Sequence, residues 1–95
     1  DDFLQLLAEN EIQLIDVRTP KEFEKNSMSF AKNIPLSQLE ERQDEIIFEV
    51  PVYLVCQSGV RSKKAVNKLK EARANAELIN VDGGMNEILK HAIKY

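Results

Sequence analysis

Apolar and polar positions along this chain alternate between two periods. The opening stretch DDFLQLLAEN sets Phe3, Leu4, Leu6 and Leu7 on a helical stripe behind Asp2 as a cap, which predicts a short first helix. IQLIDV, residues 12–17, is a short apolar run of buried-strand type. Thr19-Pro20-Lys21-Glu22 has the spacing of a capping box with proline at the first helical position, so the chain is expected to turn directly from strand into helix. KNIPL is brief and β-like, and Ser37-Gln38-Leu39-Glu40 repeats the capping-box spacing, predicting a charged helix running towards Glu45. VPVYLV is the most strand-like stretch; after it Ala65, Val66, Leu69 and Ala72 recur at helical spacing. AELINV reads as another strand, Gly83-Gly84 as a tight turn, and Met85, Ile88, Leu89 and Ile93 as one face of a closing helix. Short buried strands alternating with helices predict an α/β domain, a mainly parallel sheet with helices on both faces.

Length and charge narrow what such a domain does. Ninety-five residues suit one compact domain over 1–95, and a start at Asp1 rather than methionine fits excision from a longer protein. A net charge of -3 offers no general basic field for a phosphate backbone, which argues against nucleic acid as a partner. No apolar run approaches membrane-spanning length, and no signal-peptide pattern opens the chain. The single cysteine cannot form an internal disulfide, which makes the cytoplasm the expected compartment.

That cysteine, Cys56, follows the most strand-like run, and in open α/β sheets the functional crevice lies beyond the carboxyl ends of the strands. Gln57, Ser58, Gly59, Val60, Arg61 and Ser62 join strand to helix, and Gly59 lets the backbone curl so that successive amides point at one centre. The helix start near Ser62 adds a positive dipole end that favours a thiolate, and Lys63 and Lys64 either add positive charge there or form a solvated surface pair. The alternative for Cys56 is a small buried hydrophobe at a strand end. Metal binding is short of ligands: there is no second cysteine, and the one histidine, His91, lies far down the last helix.

Asp16-Val17-Arg18, Glu22-Phe23, Asn33 to Leu36, Val55 to Ser62 and Gly83-Gly84 together resemble, in order and spacing, a single-domain rhodanese. The resemblance implies a rhodanese-like five-stranded, mainly parallel sheet and a sulfurtransferase in which Cys56 takes sulfane sulfur as a persulfide and passes it to a thiophilic acceptor, with no cofactor. It also implies that Cys56 and Arg61 are catalytic, that Gln57, Ser58, Gly59, Val60 and Ser62 form the substrate-binding loop, and that Asp16 supports them. Arg61 is expected either to hydrogen-bond substrate or to brace the loop against the Asp16 carboxylate. Arg18 and Glu22, four apart, read as a structural ion pair outside the catalytic set. Gly83 and Gly84 read as residues of close approach rather than of binding.

Asn26 to Ala31 lacks the histidine and glycines usual in the family, so this stretch is expected to fold differently in detail. Two rival functions remain open. Cysteine phosphatases share the arginine-closed cradle but space the arginine one residue further from the cysteine, and the smaller ring here suits one extra sulfur. A non-catalytic interaction or regulatory domain is the other alternative. Expected partners are thiosulfate or a persulfide donor and a thiol or sulfur-carrier acceptor, with fusion to an adenylating, carrier-activating enzyme as the favoured context.

Overall fold

The computed structural model describes residues 13–28 and 31–92. Strand β1 (Gln13–Asp16) leads through the extended residue Thr19 into helix α1 (Pro20–Lys25). The capping box read from the sequence is present: Thr19 Oγ1 accepts from the Glu22 amide at 3.3 Å and Glu22 Oε1 accepts from the Thr19 amide at 3.2 Å. Strand β2 (Lys32–Asn33), β3 (Val52–Val55), helix α2 (Val60–Ala72), strand β4 (Leu78–Asn80) and helix α3 (Gly84–Ala92) follow. The first helix expected from Phe3 to Leu7, and the Ile93 end of the closing helix, lie outside the described residues.

The strands form one parallel sheet in the order β2-β1-β3-β4. That is four strands among the described residues, where the resemblance implied five. The hydrophobic periodicity itself contains only four strand-like runs, and the described segment between β2 and β3 is occupied by turns. Asp16 pairs in register with Val55 and Leu54 with Asn80, so Asp16, Cys56 and Asn80 all arrive at the same, carboxyl edge of the sheet.

Strand alternation divides the core into two layers. Ile15, Val52, Leu54 and Cys56 face one side with Ala65, Val66 and Leu69 of α2. Leu14 and Val55 face the other with Met85 and Ile88 of α3. Helices therefore cover both faces, as expected. Each fully buried Leu or Ile here contributes about 1.5–3 kcal/mol relative to exposure. Ala72, expected on the buried stripe of α2, is exposed at its last turn.

The charged helix expected from Ser37 to Glu45 does not form. Leu36–Gln38 and Gln43–Glu45 are single 3-10 turns, and neither is capped by a side chain. Residues 37–45 include one apolar side chain, Leu39, so an α-helix there would have no stripe to bury, and a cap worth about 1 kcal/mol does not offset the cost of nucleation. Two tight turns instead place Leu39 and Ile46 in the core, while Arg42 and Lys32 pair with Glu45 on the surface. No helix among the described residues is long and apolar enough to cross a membrane.

Candidate active site

Cys56 directly follows β3 and is 1% exposed. Immediately after it the chain curls through Ser58 and Gly59, whose φ of 98° lies in the left-handed region that an L side chain resists. That turn aims the Gly59 amide back at the sulfur, 3.0 Å from Cys56 Sγ, and brings Ser62, in the first turn of α2, to 3.4 Å through its hydroxyl. Burial pushes the thiol up, but hydrogen bonds from the Ser62 hydroxyl and from the amides of Ser62, Gly59 and Ser58 outweigh it and hold the thiol below its ordinary value. Backbone amides and one hydroxyl thus converge on the sulfur. Ser58, Val60, Lys63 and Lys64 are exposed around it.

The double glycine permits a close approach. A side chain on Gly84 would place its first carbon 2.2 Å from the Cys56 carbonyl oxygen. In the absence of that carbon the start of α3 meets the loop directly, the Met85 amide donating to Cys56 O at 2.7 Å and the Asn86 amide to Gln57 O at 2.9 Å. The loop is therefore fastened by two helices, α2 at its end and α3 at its back.

The charged residues pair differently from the sequence expectation. Arg61 does not reach Asp16: its Nη1 and Nη2 donate to the two carboxylate oxygens of Glu22 at 2.7 and 2.8 Å. Asp16 is held by Arg18, whose Nε, Nη2 and backbone amide all donate to it at 2.8 to 3.1 Å. The expected Arg18–Glu22 pair fails because Arg18 lies outside the helix, before the extended cap Thr19, so four-residue helical spacing does not apply to it. On the extended chain Asp16 and Arg18 are two apart and project to the same side. The Arg61 guanidinium holds the Glu22 carboxyl at about 2, well below its ordinary 4.5, and Glu22 in turn raises Arg61.

Arg18 also contributes to the loop. Its Nη1 donates to Asn26 Oδ1 at 3.1 Å and to Gln57 Oε1 at 3.2 Å, and Gln57 Nε2 donates to Asn86 Oδ1 at 2.6 Å. Gln57 is therefore gripped from both sides. A cleft of about 360 Å³ opens beside it, lined by Arg18, Glu22, Lys25, Asn26 and Gln57. A second cleft of about 320 Å³ has Val17, Pro35, Leu36, Arg61 and Lys68 among its lining residues.

Sequence reasoning left out Arg18, Glu22, Asn26, Asn80 and Asn86 as members of the site. For Asn80 a signal existed: it is a polar residue in the last position of an otherwise apolar strand, at the edge of the sheet where function concentrates. Its Oδ1 accepts from Ser62 Oγ at 2.5 Å.

The rhodanese-like domain family matches residues 1–91 of the chain. YqhL of Bacillus subtilis is 48% identical over 75 residues, which are 79% of this chain and 59% of that protein. A protein named sulfurtransferase from Allochromatium vinosum is 30% identical over 90 residues, 94% of this chain and 83% of that protein. The crystal structure of a rhodanese-like domain protein from Staphylococcus aureus superposes with a TM-score of 0.82 at 32% identity, covering 90% of this chain and 83% of that one.

Proposed function

Because this chain belongs to the rhodanese-like domain family, whose relatives include a named sulfurtransferase, we propose that it transfers sulfane sulfur through a persulfide on Cys56. One observation carries the reading: the chain's only cysteine stands at the carboxyl edge of the sheet, with the Gly59 amide 3.0 Å and the Ser62 hydroxyl 3.4 Å from its sulfur. Such donors stabilise a thiolate, which is the attacking form.

The thiolate attacks the terminal sulfur of a donor carrying a sulfur–sulfur bond. That bond breaks and its electron pair leaves with the departing group, sulfite from thiosulfate or a thiolate from a persulfide. Cys56 is then a persulfide with its charge on the outer sulfur. An acceptor thiolate attacks that outer sulfur, and the Cys56 thiolate leaves with the electron pair, restoring the enzyme. Both outer nitrogens of Arg61 are engaged by Glu22. Arg61 therefore acts in this mechanism by bracing the start of α2 against α1, and the anionic sulfur is stabilised by amides. The donor and the acceptor, a thiol or a thiol-bearing carrier, are part of the proposal.

Intact-mass measurement after incubation with thiosulfate, and separately with glutathione persulfide, is expected to show one added sulfur that dithiothreitol removes and that Cys56→Ser lacks. An unchanged mass with both donors would refute the reading in favour of a non-catalytic domain.

A further inference from the structure

Ser62 Oγ carries one hydrogen and faces two acceptors, Cys56 Sγ at 3.4 Å and Asn80 Oδ1 at 2.5 Å. A hydroxyl donates once. Which end of the Asn80 amide faces Ser62 is decided by its other neighbours. Its nitrogen stands 3.4 Å from the Gly59 carbonyl oxygen and 3.3 Å from Asp82 Oδ1, and both are acceptors. Turning the amide over would set its oxygen against two oxygens, so Nδ2 stays on that side and Oδ1 is left to draw the Ser62 hydrogen.

From this geometry we propose that Asn80 is a positioning residue for Cys56, competing with the sulfur for the single Ser62 hydrogen and so limiting how strongly Ser62 stabilises a thiolate. The chemical use is clear from the trade-off in thiol reactivity: extra donors raise the thiolate fraction but weaken the nucleophile, and the best attacking thiol has a pKa near the ambient pH. The loop amides already supply one set of donors. Asn80 restrains the remaining one, keeping the thiolate basic enough to attack while its own Nδ2 ties the Gly59 carbonyl to the end of β4.

Of the charged groups near the thiol, Asp82 is the one that contacts Asn80, its Oδ1 lying 3.3 Å from Asn80 Nδ2. Arg61 on α2 is engaged by Glu22 of α1, and Asp16 of β1 by Arg18. Lys63 and Lys64 of α2 are exposed, Asp82 follows β4, and α3 meets the loop through Gly84, Met85 and Asn86, residues without an ionisable side chain.

The test is the pH dependence of Cys56 alkylation by iodoacetamide in the full chain and in Asn80→Ala, Ser62→Ala and the double variant. Asn80→Ala is expected to lower the alkylation midpoint by about 0.5 to 1 pH unit, the size of one hydrogen bond, because the hydrogen passes wholly to sulfur. Ser62→Ala is expected to raise the midpoint, and adding Asn80→Ala to it is expected to change nothing further. If Asn80→Ala loses its cooperative melting transition, Asn80→Leu, close in shape but without an acceptor, carries the same expectations. A midpoint unmoved or raised by loss of Asn80, or a shift of equal size with and without Ser62, would overturn the competition and leave Asn80 a purely structural residue. The inference rests on the sulfurtransferase reading only in taking Cys56 as the reacting thiol. Because alkylation needs no sulfur donor, a failed competition leaves the persulfide mass shift unaffected, and a missing persulfide leaves the alkylation profiles readable.

Discussion

Two arginine–carboxylate pairs flank the cysteine loop, built from the same chemistry in different surroundings. Asp16 and Arg18 are 0% and 1% exposed, and the guanidinium continues into Asn26 and Gln57. Glu22 and Arg61 meet just as squarely, two nitrogens on two oxygens, but are 34% and 35% exposed. Among the described residues every buried polar side-chain atom has a hydrogen-bond partner. The difference teaches that water, more than contact geometry, sets what each pair is worth. Removing one member of the buried pair leaves a charge stranded in the core. Removing one member of the open pair leaves a charge that solvent readily takes up.

The largest expected effect is on the buried pair. Arg18→Ala should destabilise the domain by about 3–5 kcal/mol in urea unfolding, and Arg18→Lys should recover little, since an ammonium cannot reproduce the forked contacts to Asp16, Asn26 and Gln57. A loss below about 1 kcal/mol, the range of an exposed pair, would erase the distinction.

A smaller effect is expected at the open pair. A double-mutant cycle on Glu22→Gln and Arg61→Ala should return a coupling of about 0.5–1 kcal/mol that shrinks as salt is added. Arg61→Ala should slow sulfur transfer by less than about tenfold, with a lower Tm, because the residue braces the loop; a loss of about 100-fold at unchanged Tm would place the guanidinium on the reacting anion instead.

The same open pair is also read on the acid side, where solvent screening of the 34% exposed Glu22 keeps the effect small. Glu22 titrates at about 2 in the folded chain against an ordinary 4.5, chiefly through its hydrogen bonds from Arg61. A lowered folded value means that the stabilisation is fully present above pH 4.5 and is lost as pH falls towards about 2. Glu45, held at about 2 by Arg42 and then Lys32, gives a slope of the same sign. The difference between wild type and Glu22→Gln therefore isolates the Glu22 share. Identical acid unfolding of the two proteins would show that the pair carries no stability.

Much of the frame was legible in the sequence. The four apolar runs became the four strands, the Thr19–Glu22 box formed as read, and Gly59 and Gly84 stand where the backbone must turn sharply or approach closely. The same box spacing misled at Ser37–Glu40, because a cap cannot sustain a helix that has no apolar face to bury. The fifth strand came from the family resemblance alone, and the described periodicity contains no run to build it.

Within the site, the sequence by itself determined what is local: the lone thiol at a strand end, the glycine turn that returns an amide to it, and the serine one helical turn on. The Asp16–Arg18 contact is equally local, since residues two apart on an extended chain share a side, yet the sequence reading pairs Arg18 with Glu22 and Asp16 with Arg61. Only the tertiary structure decided that Arg61 reaches Glu22, 39 residues away, and that Asn80 reaches Ser62 across 18. Those contacts join separate elements, and they depend on how far each helix is rotated and shifted against the sheet as side chains of both layers pack together. Periodicity specifies which face of an element is buried, but it leaves open which long polar side chains meet along the rim.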